Sequence, residues 1–168
     1  MIQEESIRQA YQTLTLYLIS HNTSITTMES CTSGLIASLI TDTPGASAIF
    51  KGAFVTYSNE AKIRQGIPAA LISRYGVYSP ETARAMATAC RHAYLSDIGL
   101  GITGTTGNPD PNNADSVPGR VFFAVDLKGF LYSDCVEIAS LPTRYAYKLA
   151  AADAVVRFLL PLLPVTHR

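Results

Sequence analysis

Ser30 and Lys62 are the residues of this 168-residue chain whose types and setting could do covalent chemistry: a hydroxyl nucleophile and an amine able to serve as its base. Ser30 lies in TTMESCTSG, Thr26 to Gly34, where Ile25-Thr26-Thr27-Met28 leads through Glu29-Ser30-Cys31-Thr32 into Leu35 to Ile40, whose apolar spacing is helical. The serine is therefore expected at a strand-to-helix turn. Backbone N–H groups there lack intrahelical partners and can meet a developing oxyanion. Lys62 ends TYSNEAK, five residues past Tyr57, and a helical turn over Asn59 to Lys62 would return it toward the same strand end. A lysine acts as general base only when neutral, which requires burial or a neighbouring positive charge. His21, His92 and His167 fall away from every polar strand end, so a Ser-His-Asp triad is poorly supported. On these residues alone, a surface hydroxyl and a solvated ammonium are the competing reading.

The elements that must position this pair follow from periodicity. Ile7, Tyr11, Leu14 and Leu18 predict an amphipathic helix from about Glu4 to Ser20. Thr43-Pro44-Gly45 stops the helix after Ser30, and Ile49 to Tyr57 reads as a second strand with Gly52 inside it. Short helical pieces through Lys62 and over Ala69 to Tyr75 precede Ser79-Pro80-Glu81, a capped helix start. That helix runs to about Tyr94 with Ala83, Met86, Ala87 and Cys90 on its apolar face. Ile98-Gly99-Leu100-Gly101-Ile102 is a strand with one bare face that something must approach closely. The polar loop Thr103 to Gly107 continues into a turn-rich surface segment, Asn108 to Asn113. Val121 to Asp126 and Phe130 to Ile138 form a hairpin across Lys128-Gly129, and a last helix from about Pro142 presents Tyr145, Leu149, Val156, Leu159 and Leu163. The expected fold is a single three-layer α/β/α domain with a mixed, partly parallel sheet. Its strand ends at Ser30, Tyr57 and Thr103 should converge on one crevice.

Composition narrows the function classes. The 13 basic and 13 acidic side chains cancel, removing the footprint of a nucleic-acid binder or membrane-surface protein and favouring a small-molecule partner. No run of eighteen apolar residues appears, and MIQEESIRQA lacks the regions of a signal peptide, so a cytoplasmic location is expected. Cys31, Cys90 and Cys135 are odd in number and widely spaced, and no His/Asp/Glu cluster has ligand spacing. Neither disulfide, metal nor cofactor is expected.

Four motifs together resemble one family. ESCTSG (Glu29 to Gly34), TDTPGASAIFKGAFVTYSNEAK (Thr41 to Lys62), YGVYSPETARAMA (Tyr75 to Ala87) and GITGTTG (Gly101 to Gly107) are similar to the successive motifs of the CinA C-terminal domain, the PncC family. The resemblance covers nearly the whole chain. It implies a nicotinamide mononucleotide (NMN) deamidase, hydrolysing the carboxamide of NMN to nicotinic acid mononucleotide and ammonia, and a homodimer. It also implies a catalytic serine at Ser30, a lysine at Lys62 and a motif tyrosine at Tyr57. Substrate-binding positions would be Cys31, Thr32 and Gly34 after the nucleophile, Thr103, Gly104 and Thr105 in the strand-end loop, and Arg144. Three departures bear on the substrate. Ser33 stands where the family reads glycine, Thr105-Thr106-Gly107-Asn108 where it reads IAGP, and Pro142-Thr143-Arg144 with Lys148 where it reads GDR and a second arginine.

The mechanism expected of these residues is that neutral Lys62 takes the Ser30 proton, that ammonia leaves an acyl-enzyme, and that Tyr57 orients Lys62 or passes a proton to the leaving amine. Each role has a plain alternative: Tyr57 as a strand aromatic packed in the core, Arg144 and Lys148 as a solvated basic face, Thr103 and Thr105 as loop hydroxyls. Cys31 beside Ser30 raises a thiol-nucleophile version, set against simple burial. A non-hydrolytic nucleotide-binding protein and an amidohydrolase for another carboxamide are the competing functions.

Overall fold

A computed structural model describes residues 4–164. His167 lies outside them. The element order is α1 (Glu4–Ser20), β1 (Ile25–Glu29), α2 (Leu35–Thr41), β2 (Phe50–Val55), α3 (Asn59–Arg64), α4 (Ala69–Tyr75), α5 (Pro80–Tyr94), β3 (Ile98–Gly104), β4 (Arg120–Leu127), β5 (Phe130–Glu137) and α6 (Arg144–Leu159). The strands form one sheet in the order β2-β1-β3-β4-β5. β1 runs parallel to both β2 and β3, while β3/β4 and β4/β5 are antiparallel, so the sheet is mixed as expected.

The two sheet faces are chemically different because strand residues alternate sides. Ile98, Leu100 and Ile102 of β3 and Val121, Phe123 and Val125 of β4 join Ile7, Tyr11, Leu14 and Leu18 of α1, Ile36 and Leu39 of α2 and Leu149, Val155 and Leu159 of α6 in the larger apolar cluster. The opposite face is bare at Gly99 and Gly101, and α5 lies directly on it. A Cβ built on Gly99 would stand 2.1 Å from the Ala87 carbonyl oxygen, and one on Gly101 2.2 Å from that of Ala83. Backbone therefore packs on backbone, and the small residues Ala83, Ala87 and Ala124 fill the seam. Met28, Ile67, Met86 and Cys90 form a separate apolar cluster, which makes Cys90 a buried core residue.

Local signals account for most boundaries. The Ser79 hydroxyl accepts from the Thr82 amide and Pro80 opens α5; Thr143 caps α6 in the same way through the Ala146 amide. Lys128 and Gly129 both take positive φ, 52° and 97°, the geometry of a two-residue hairpin turn, and the Gly129 amide donates to Asp126. Two boundaries differ from expectation. β2 ends at Val55, so Tyr57 lies beyond the strand and is 58% exposed rather than packed in the core. α6 starts at Arg144, and its phase buries Tyr147, Ala151 and Ala152, leaving Tyr145 outside with its hydroxyl on Glu4.

The junction of β1 and α2 is held by a group the sequence reading passed over. The fully buried Glu29 carboxylate accepts from the amides of Gly34, Ile36 and Ala37 and from the hydroxyls of Thr27 and Thr32. It thereby satisfies orphan donors at the start of α2 with a negative charge at the positive end of the helix. The loop carrying Ser30 is clamped between the strand and this cap.

Two substitutions test these constraints by urea unfolding. Gly101→Ala drives a methyl into the α5 backbone and is expected to cost about 2–3 kcal/mol. Glu29→Gln keeps the shape but turns one acceptor atom into a donor facing donors, with an expected loss of about 2–3 kcal/mol. Wild-type midpoints for either variant would contradict the packing described.

Candidate active site

Ser30 stands at the carboxyl end of β1, the strand about which the chain reverses direction: β2 lies on one side and β3 on the other. Ligand crevices in open α/β sheets form outside strand ends at such a point. A cavity of about 600 Å³ opens there, within the range of roughly 300–1,000 Å³ usual for small-molecule sites. Ser30, Tyr57, Gly104, Thr105 and Arg144 all line it, so the three strand ends do converge.

Lys62 reaches Ser30 from the side. Ser58 caps α3 through the Ala61 amide, and one turn later the lysine side chain lies fully buried. Its Nζ donates to Ser30 Oγ at 3.1 Å and to the Thr56 carbonyl oxygen at 2.9 Å. Burial penalises the ammonium and lowers its pKa from 10.5 to about 8; the Asp110 carboxylate works in the opposite direction. At pH 7 about a tenth of such an amine is neutral. In that form its lone pair can accept the Ser30 hydroxyl proton while an N–H keeps the Thr56 carbonyl. Geometry and acidity are thus both those of a base for Ser30.

The remaining expected positions divide. The amides of Cys31 and Thr32 donate to no protein acceptor among the described residues, whereas the Gly34 amide is taken by Glu29. Gly34 therefore serves the α2 junction and not a ligand. Its φ of 91° explains why glycine is needed there. The hydroxyl of Thr32 also belongs to Glu29, which leaves only its amide for a substrate. Cys31 lines the cavity, yet burial and the neighbouring Glu29 push its thiol up to about 12, so no standing thiolate supports the thiol-nucleophile version.

Thr103 is buried on the α5 side of the sheet and donates to the Val77 carbonyl, so its hydroxyl does not reach the cavity. Gly104 and Thr105 do line it; the Thr105 hydroxyl shares a 2.9 Å hydrogen bond with Ser116. Tyr57 hydrogen-bonds neither Ser30 nor Lys62. Its hydroxyl accepts from Arg144 at 3.0 Å, and the Thr56 carbonyl is what orients the lysine. Arg144, exposed at the start of α6, faces the cavity, and Lys148 one turn on does not. Ser33 has φ 53°, the left-handed region, at the position where the resemblance expects glycine. A side chain there costs roughly 1 kcal/mol.

Sequence reasoning missed further contributors besides Glu29. Asp110, Asn112 and Asn113, read only as a turn-rich surface loop, form a wall of the cavity. Asn59 Nδ2 ties this loop to α3 through Asn113 Oδ1 at 2.8 Å. The signal available was the density of short polar side chains between prolines, which marks a loop but not where it folds. His21 stacks on Tyr17 and His92 lies against Arg91, both away from the cavity.

Comparison with known proteins identifies the family. A family model described as the CinA C-terminal domain matches residues 7–163. A CinA-like protein from Desulfovibrio desulfuricans is 45% identical over 116 residues, covering 68% of this chain and 27% of that protein. One from Citrifermentans bemidjiense is 44% identical over 117 residues, covering 69% and 28%. The chain thus spans about a quarter of the length of these curated relatives. Among solved structures, a competence-damaged protein (CinA) superfamily protein from Escherichia coli superposes with a TM-score of 0.86 at 28% identity, covering 94% of this chain and 90% of that one. The competence/damage inducible protein CihA from Agrobacterium tumefaciens gives 0.85 at 26%, covering 93% and 94%. With the family model matched almost from end to end and the fold shared with these structures, the chain belongs to the CinA C-terminal domain family.

Proposed function

We propose that this protein is an amidohydrolase that deamidates NMN to nicotinic acid mononucleotide and ammonia through a Ser30–Lys62 dyad. The observation that carries the reading is the 3.1 Å contact between Ser30 Oγ and the buried, acidified Lys62 amine. A binding module gains nothing from keeping a lysine where burial destabilises its charged form.

In this mechanism neutral Lys62 removes the Ser30 proton as Oγ attacks the carboxamide carbon. The tetrahedral oxyanion takes hydrogen bonds from the free amides of Cys31 and Thr32, each such donor being worth roughly 3 kcal/mol in the transition state. Lys62, now an ammonium, returns the proton to the leaving nitrogen, and ammonia departs from an ester on Ser30. A water molecule activated by the regenerated amine then hydrolyses the ester. Arg144 supplies the cavity with a guanidinium suited to the 5′-phosphate, held in place by Tyr57. This gives Tyr57 a part in binding and none in proton transfer.

Ammonia release from NMN by wild type, Ser30→Ala and Lys62→Met tests the reading. Both variants are expected to lose at least about a thousandfold in kcat/KM, since nucleophile and base act as a unit. Full turnover by Ser30→Ala would rule the mechanism out. Turnover should depend on the neutral amine: kcat/KM rises about tenfold per pH unit below the Lys62 pKa and levels off above about 8. A flat profile from pH 6 to 9 would exclude Lys62 as the base. Because burial disfavours its ammonium, Lys62→Met is expected to be at least as stable as wild type at pH 7. The wild type should gain stability between about pH 8 and 10.5, where the unfolded chain binds the proton and the native one does not.

A further inference from the structure

The cavity carries three formal charges among its lining residues: Arg144, Glu60 and Asp110. Glu60 is solvent-exposed in the first turn of α3, where water and salt screen it. Asp110 is half-buried, and its carboxylate accepts three hydrogen bonds. The Tyr78 hydroxyl donates to Oδ2 at 2.7 Å, Asn113 Nδ2 donates to the same oxygen at 2.5 Å, and the Asn112 amide donates to Oδ1 at 2.9 Å. The Asn112 amide, with Tyr78 and Asn113, keeps the carboxyl below the usual carboxylate range, so it is ionised at neutral pH. Through Asn113 and Asn59 its loop is tied to the helix that bears Lys62.

This charge opposes the proposed base. A carboxylate near Lys62 favours the ammonium, while the rest of the site works to discharge it. If Asp110 only pinned its loop, a neutral acceptor would serve as well without that cost to the base. A fixed negative charge in the same cavity as Ser30 is explained by a ligand that brings a positive one. Arg144, also on the cavity, answers a negative group on the same ligand.

We infer that Asp110 is a specificity-determining residue, whose carboxylate selects a carboxamide on a positively charged ring over the same carboxamide on a neutral ring. The inference rests on the deamidase reading and deepens it: the substrate class is a cationic aromatic carboxamide that also carries an anionic group, which the pyridinium ring and phosphate of NMN fulfil. When such a ring binds, it pairs the Asp110 charge and relieves that charge's hold on the Lys62 proton.

NMN and its dihydro form share ribose, phosphate and carboxamide and differ in ring charge, so they isolate the effect. Titration calorimetry on the Ser30→Ala protein, which binds without turnover, is expected to show NMN bound roughly tenfold more tightly than the dihydro form, as one close charge pair in a half-buried site would give. In Ser30→Ala with Asp110→Asn, the ratio is expected to fall to near one. Loss of a purely structural tether would weaken both ligands by the same factor and leave the ratio unchanged, and that result overturns the inference. Equal affinity in Ser30→Ala alone overturns it without any change at Asp110, while NMN turnover by the wild type would leave the deamidase reading standing. Binding of neither ligand, together with no turnover, would sink both.

Discussion

The burial of one amine governs this molecule. An ammonium has three donor hydrogens and no acceptor, and it is strongly hydrated. Lys62 places that group where the described residues supply only the Ser30 hydroxyl and the Thr56 carbonyl. The shortfall in solvation brings the proton's affinity down to about 8, and it makes the neutral amine available beside a hydroxyl. A solvated lysine at the same distance would be a spectator.

Holding the pair together requires three strand ends and two helix starts to agree. β1 sits between β2 and β3 in parallel register, which brings Glu29 opposite Val55 and Ile102 and sets Ser30 against Thr56 at the sheet's end. The Ser30 amide donates to the Ile102 carbonyl and the Thr56 amide to that of Glu29, so the ladder continues into the site itself. Glu29 clamps the other side of the loop by capping α2. On the far face, α5 can approach the sheet closely because β3 presents Gly99 and Gly101. That approach brings the Val77 carbonyl, just before α5, within reach of Thr103 and sets Tyr78 on the cavity wall.

Much of this was legible in the chain. Helical and strand periods located all eleven elements to within a few residues, and the glycine alternation in β3 announced the close packing of α5. Ser30 and Lys62 were readable because short local rules, a strand-to-helix turn and a helical return after β2, place both. What could not be read depends on tertiary partners. Glu29 lay in plain view inside the motif, yet its role emerges only when the amides of α2 curl around it. The family resemblance assigns Thr103 to the ligand; strand alternation instead points it toward the segment leading into α5. The expected mechanism ties the motif tyrosine Tyr57 to Lys62, but Tyr57 lies beyond the end of β2 and meets Arg144, eighty-seven residues away. Asp110 looked like an ordinary turn residue because its loop's return over the cavity is set by contacts with Tyr78, Asn59 and Ser116, none of them local in the sense a sequence pattern records.

The central claim is that Lys62 sheds its proton within the physiological range while in contact with Ser30. It is tested most directly by an NMR titration of the protein carrying 13C at lysine Cε, with Lys62→Met identifying its signal among those of Lys51, Lys128 and Lys148. A Lys62 midpoint near pH 8 is the result the account predicts. A midpoint near the ordinary 10.5 would leave an ammonium beside the serine and contradict it.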